Sequence, residues 1–209
     1  MPTILIDSSD HKTELCIIGE QLATDKSPYC PEGHRHPYTA IYNLLFAPLK
    51  NKNIILVEIG VWRSASIKLW SLFFKNSKIY GFDYDRSMIE RCNNYYIKNA
   101  NALYMNVKDS QSINEGLLMI NELVDIIIDD SSHEVDDQIR IINETFKYLK
   151  SGGYLIVEDI YEACDEELYI NKLDNIITHC SFYTFITAAH TNTFTDGINN
   201  NKMLILIKE

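Results

Sequence analysis

Ile126-Ile127-Ile128-Asp129-Asp130-Ser131-Ser132-His133 is the stretch on which the fold turns. Three consecutive isoleucines suit a short strand buried on both faces, and such strands belong to parallel sheets covered by helices on each side. The run ends in two carboxylates, with a histidine three residues after the second. Leu155-Ile156-Val157-Glu158-Asp159-Ile160-Tyr161 repeats the arrangement, an apolar run meeting two acids. Ligands of open α/β sheets bind at the carboxyl ends of the strands, so both stretches put ionisable groups where a ligand would sit.

Working outward, apolar runs recur at intervals that leave room for a helix. The pattern predicts strands at 53–59, 78–82, 102–107, 124–128 and 154–157, separated by helices at 66–74, 87–98, 112–120 and 136–149, the last stopped by Gly152-Gly153. This alternation implies a Rossmann-like, doubly wound, mostly parallel sheet. Two further strand-like runs at 182–188 and 203–208, joined through a polar loop with Asp196-Gly197 and three asparagines at 199–201, read as a closing hairpin. They bring the sheet to seven strands, with an antiparallel C-terminal strand. Glu14–Leu22 and Tyr38–Phe46 read as helices around a loop containing Pro28, Pro31, Gly33 and Pro37. Residues 1–50 are therefore expected to form an N-terminal helical cap or lid, and 51–209 one globular catalytic domain.

Composition narrows the function. The 209 residues are 46% hydrophobic with a net charge of −10, and the 19 Lys and Arg are dispersed, which argues against a nucleic-acid binder. The odd set Cys16, Cys30, Cys92, Cys164 and Cys180 forms no C-x-x-C pair, so a reducing, cytoplasmic setting without structural zinc is expected. No apolar run approaches the roughly 18 residues of a membrane helix, and no leader is recognised at the start. A small-molecule partner is the expectation; a homo-oligomer stays open.

After the first strand, Val57-Glu58-Ile59-Gly60-Val61-Trp62-Arg63-Ser64-Ala65-Ser66 supplies a single glycine before a helix, without the second and third glycines of a pyrophosphate cradle. Gly81-Phe82-Asp83 follows about 20 residues on, the usual distance for an acid that takes a ribose diol. One glycine and one acid suit a nucleoside lacking phosphate, such as S-adenosylmethionine: Asp83 would accept from the ribose, Glu58 would face the cationic amino-acid end, Gly60 would bring the backbone close, and Ser66 would be a further cofactor-binding residue. The alternative is an ordinary βα turn with Asp83 capping a helix. Asp109 is a candidate near the adenine, with a helix cap as its rival.

These residues carry a likeness. The chain resembles class I S-adenosylmethionine-dependent methyltransferases, among them the metal-dependent O-methyltransferases of macrolide sugars and cephalosporin-hydroxylase-like proteins. The similarity covers Thr24-Asp25-Lys26, His36-Pro37-Tyr38-Thr39-Ala40-Ile41-Tyr42, the Gly60 turn, Gly81-Phe82-Asp83, Asp129 to His133, and Glu158-Asp159. The resemblance implies that Asp130, Glu158 and Asp159 hold Mg2+, that Asp130 and His133 are catalytic, with His133 as general base, and that Lys26 and His36 close over the site. Asp129 is assigned to the cofactor side as a supporting hydrogen-bonding group. The family usually has glycine at the positions of Ser131 and Ser64: a left-handed backbone at Ser131 would be strained here, and Ser64 tightens the space beside the cofactor.

Methyl transfer to an alcohol needs the proton to leave as the bond forms. A hard cation on carboxylate oxygens can gather two neighbouring sugar hydroxyls and acidify one, and a histidine near its ordinary pKa of about 6.5 is neutral enough to take the proton. The expected activity is Mg2+-dependent O-methylation of a sugar or glycosylated small molecule. Two alternatives stand beside it: a nicotinamide-dependent oxidoreductase or epimerase, disfavoured because no lysine follows Tyr161 at Tyr-x-x-x-Lys spacing, and an S-adenosylmethionine-binding protein without catalysis.

Overall fold

The computed structural model describes residues 3–209. Its single sheet contains β1 (Ile4–Asp7), β2 (Ile55–Ile59), β3 (Lys78–Asp83), β4 (Ala100–Tyr104), β5 (Val124–Asp129), β6 (Leu149–Ile160), β7 (Cys180–Ala189) and β8 (Lys202–Lys208). The strand order is β1-β7-β8-β6-β5-β2-β3-β4. β8 is antiparallel to both of its neighbours, while every other pairing is parallel. The doubly wound sheet and antiparallel C-terminal strand are as expected, and β1 adds an eighth strand by pairing with β7 at the edge.

Strand side chains alternate between faces, and the two cores follow from that. On one face Leu56, Ile126, Ile128 and Ile156 pack with α1 (Glu14–Leu22), α2 (Tyr38–Phe46) and α3 (Ala65–Phe73), through Leu15, Tyr38, Tyr42, Phe46 and Trp70. α4 (Arg86–Asn94) joins them through Cys92. On the other face Val57, Ile127, Leu155 and Val157 meet α5 (Ser110–Leu118), α6 (Val135–Thr145), α7 (Glu166–Lys172) and α8 (Asp174–Ile177). Burying each large side chain contributes about 1.5–3 kcal/mol; Trp70 is fully buried, with Tyr42 and Phe46 edge-on to it. All five cysteines are free. No helix among the described residues is long and apolar enough to cross a membrane.

Some boundaries differ from the sequence expectation for identifiable reasons. Gly152-Gly153 does not follow a helix directly: α6 ends at Thr145, and the glycines lie inside β6, next to a register shift against β5 between Val124 and Ile126. β6 also continues past Val157, because β8 supplies a partner as far as Ile160. The pairing register jumps between Val157 and Ile160, so Glu158 and Asp159 occupy a bulge, a device that redirects side chains at sheet ends. β4 stops at Tyr104, where its partner β3 ends at Asp83.

The turn from β2 into α3 brings two strand ends into contact. Gly60 has φ 95°, and a Cβ there would lie 2.0 Å from the Asp130 carbonyl oxygen. The Asp130 N–H in turn donates to Ile59 O at 2.9 Å. Trp62 and Ser64 then take φ 35° and 64° before α3 begins. Of the two serines at positions where the resemblance implies glycine, Ser64 is the one in the left-handed region; Ser131 is not among the positive-φ residues. Gly60→Ala is expected to lower stability by at least about 2 kcal/mol, through backbone collision as well as strain. Ser64→Gly should raise it by up to about 1 kcal/mol, the left-handed penalty less the entropy of glycine. Urea unfolding of the two variants measures both.

Candidate active site

The carboxyl ends of β2, β3, β5 and β6 open on a cleft of about 740 Å3, whose lining includes Gly60, Ser66, Asp83, Asp130, His133 and Asp159. At its β2–β3 side, Asp83 Oδ2 accepts the N–H groups of Val61 (3.1 Å) and Trp62 (3.3 Å), and Oδ1 accepts that of Asp85. The acid therefore holds the Gly60 turn in place while its carboxylate borders the cleft. Ser66, in the first turn of α3, lies beside it.

At the β5–β6 side the chain gathers a denser cluster. His133 Nε2 lies 3.3 Å from Asp130 Oδ1 and 3.4 Å from Asp159 Oδ2. These three residues can each offer one ligand atom, all within 4.8 Å of one another, a donor set suited to a cation. His133 and Asp159 both have left-handed backbones, φ 57° and 56°. Non-glycine residues persist there only when their surroundings impose it, and such strain gathers at functional sites.

A layer of groups from residues 24–42 backs this cluster. The Lys26 side chain is 2% exposed, and its ammonium meets Asp130 Oδ2, Glu158 Oε2 at 2.8 Å and Glu58 Oε1 at 3.4 Å. The Tyr42 hydroxyl donates to the other oxygen of Glu158, and the Tyr38 hydroxyl donates to Asp159 Oδ1 at 2.6 Å. His36 stacks on Tyr38 and places Nδ1 3.5 Å from Asp159. Lys26 and His36 stood out in the sequence; the two tyrosines did not, because an i, i+4 aromatic pair reads first as core. Their signal was the hydroxyl, which needs a partner when buried.

Not all the expected site residues meet in the cleft. Asp109 accepts from Gln111 N at 3.0 Å as the N-cap of α5, and lies outside the cleft lining, so the capping alternative describes its position. Asp129 is buried, and its Oδ1 accepts from the hydroxyl and N–H of Ser131, a supporting role away from the cleft wall. Glu58 is fully buried beneath the cleft against Lys26. Glu158 is also buried, with one oxygen on Lys26 and the other on Tyr42, directly behind Asp130 and Asp159.

The electrostatics follow from burial and these contacts. Burial pushes Asp129 up to about 7, raises Glu158 well above its ordinary value and shifts Asp159 upward as well. Asp130 goes the other way: burial opposes its ionisation, but the charge of Lys26 and the His133 contact outweigh it. For His133 burial favours the neutral ring, yet the Asp130 hydrogen bond and the charges of Asp130, Asp159 and Asp129 push it up to about 9. The expectation of a largely neutral imidazole at physiological pH therefore does not hold for these protein groups by themselves.

Comparison with known proteins now has a geometry to refer to. A family model described as a methyltransferase domain matches residues 64–202. The 8-demethyl-8-alpha-L-rhamnosyl tetracenomycin-C 2'-O-methyltransferase of Streptomyces olivaceus is 28% identical over 132 residues, 60% of this chain and 33% of its own. Demethylmacrocin O-methyltransferase of Streptomyces fradiae is 25% identical over 170 residues, 77% of this chain and 40% of its own. The chain thus spans well under half the length of these curated relatives. Among solved structures, the MycE methyltransferase in complex with Mg, SAH and mycinamycin VI has a TM-score of 0.70 at 19% identity, over 95% of this chain and 55% of that one. An rRNA methylase from Streptococcus thermophilus reaches 0.57 at 14% identity, over 85% and 99%. At such identities the likeness is one of fold. Because the family match runs from the turn before α3 into β8, and so takes in Asp83, Asp130, His133 and Asp159 on their strand ends, the chain belongs to the methyltransferase domain family.

Proposed function

We propose that this chain is an S-adenosylmethionine-dependent, Mg2+-dependent O-methyltransferase acting on a hydroxyl of a sugar or glycosylated small molecule. The observation that carries the proposal is the meeting of Asp130, His133 and Asp159 in the same cleft as the Gly60 turn and Asp83. Relatives named as O-methyltransferases of 8-demethyl-8-alpha-L-rhamnosyl tetracenomycin-C and of demethylmacrocin, and a fold neighbour complexed with Mg and SAH, support the acceptor class and both cofactors.

In this proposal Gly60 lets backbone approach the cofactor, Asp83 accepts hydrogen bonds from its ribose, and Ser66 flanks it. Asp130 and Asp159 present oxygens for Mg2+, while Glu158, expected as a third ligand, lies behind them with its oxygens on Lys26 and Tyr42. When bound, the ion would supply charge that orients a sugar diol and lowers the pKa of one hydroxyl. His133 then accepts that proton at Nε2, which faces both aspartates. Within the N-terminal segment 1–50, residues 24–42 act as the cap of the site, through Lys26, His36, Tyr38 and Tyr42, and 51–209 act as the transferase domain. The acid-rich chain has a small-molecule acceptor and no nucleic-acid partner.

A neutral base fits this site once a cation shares Asp130 and Asp159, because the ion offsets the negative charges that favour the protonated ring. Two-dimensional NMR of the His133 ring in chelator should show a midpoint near 9, moving downward on adding Mg2+; a midpoint near the ordinary histidine value in both conditions would contradict the cluster. The sign for stability is fixed by the same shift. With a folded pKa above the unfolded value of about 6.5, the histidine's contribution is complete below that value and is lost as pH rises through about 9.

Variants separate the roles. His133→Ala should cut kcat by about 10²–10⁴-fold with little change in S-adenosylmethionine affinity; comparable losses of both would indicate a structural histidine. Asp130→Asn should retain cofactor binding and lose Mg2+-dependent turnover. Thermal melts should show stabilisation by S-adenosylmethionine and S-adenosylhomocysteine and none by NAD.

A further inference from the structure

We infer that Lys26 is a positioning residue for Asp130, an inference that rests on the cation site proposed above. Its ammonium occupies Asp130 Oδ2, which leaves Oδ1 as the oxygen presented to His133 and the cleft. The lysine is itself immobilised. Its backbone carbonyl accepts the N–H groups of Tyr38 and Thr39, both at 3.1 Å, so the first turn of α2 holds its main chain. Its side chain is sealed from solvent, and its nitrogen meets one carboxylate from each of three adjacent strand ends: Glu58 on β2, Asp130 after β5 and Glu158 on β6. A compact ammonium with three N–H donors suits three converging acceptors, where a planar guanidinium would not.

Of those three acids Asp130 is the one that borders the cleft; its side chain is 22% exposed, against 0% for Glu58 and 1% for Glu158. It is also the one with least other support. Glu158 keeps the Tyr42 hydroxyl if the lysine is removed, whereas the Asp130 side chain keeps only the His133 contact. Loss of Lys26 therefore falls mainly on the orientation of Asp130. The partner that fixes a ligating carboxylate behaves like the outer groups of metal sites, whose removal weakens ion binding even though they never touch the ion.

The test uses the full chain and Mn2+ as the probe ion, titrated by electron paramagnetic resonance, with S-adenosylhomocysteine binding measured in parallel by calorimetry. Lys26→Met should weaken Mn2+ binding by about tenfold or more and leave S-adenosylhomocysteine affinity essentially unchanged. Lys26→Gln, which can still donate to Asp130 Oδ2, should lose clearly less. Mn2+ affinity in Lys26→Met equal to or tighter than wild type would overturn the inference, since the ammonium would then be idle or a competitor of the ion. Equal losses in both variants would overturn it too. If Lys26→Met does not fold, Lys26→Ala, which also removes the donor but sets no apolar side chain against the acids, takes its place: wild-type Mn2+ affinity in it refutes the positioning role. A wild-type chain that binds no Mn2+ would refute the cation site itself, a separate failure.

Discussion

Five carboxylates, those of Glu58, Asp129, Asp130, Glu158 and Asp159, converge where β2, β5 and β6 end, and their mutual repulsion in a poorly solvated interior is the constraint the rest of the molecule answers. The answer is distributed. Lys26 lies among three of them, His133 lies between Asp130 and Asp159, and the hydroxyls of Tyr38, Tyr42 and Ser131 each donate to one. Most of this relief comes from residues 24–42, outside the run of alternating strands and helices. The same stretch commits Tyr38, Tyr42 and Phe46 to the core against Trp70. Packing and charge compensation are thus served by one segment, and the acids keep their places because that segment cannot withdraw without exposing a hydrophobic face.

Backbone geometry divides the labour further. The β6 bulge and the left-handed Asp159 turn adjacent acids to different partners, Glu158 inward to Lys26 and Tyr42, Asp159 toward His133 and the cleft. Gly60 does the corresponding work on β2, allowing its turn to lie against the Asp130 carbonyl. Neighbouring strand ends therefore supply a rigid wall with a small number of oriented oxygens facing the cleft. A metal-assisted proton transfer requires such a wall.

What was legible in the sequence was what is local. The strand-end acids and His133 were visible because an apolar run announces a strand and its last residues announce the sheet's ligand-binding edge. The Gly60 turn and Asp83 were visible by spacing. The bulge at Glu158-Asp159 was not, since it depends on pairing with β8 more than forty residues later. Lys26 was legible only as part of a family pattern; its contacts with Asp130 and Glu158 span 104 and 132 residues. Asp109 had two local explanations, and the backbone N–H of Gln111 describes its place. β1 escaped notice because four residues, three of them exposed, are too short a run to leave a periodic signal. Ser131, a suspected point of strain, is relaxed, and Ser64 carries that strain instead.

The central claim is that the carboxylate cluster and His133 together deprotonate a hydroxyl for methylation with a divalent ion in place. Transfer of isotope-labelled methyl from S-adenosylmethionine to a panel of hydroxylated sugars and glycosides, run in chelator and again with Mg2+ restored, tests it most directly. The account predicts a methylated acceptor that forms with Mg2+ and not in chelator. Full transfer in chelator would contradict it.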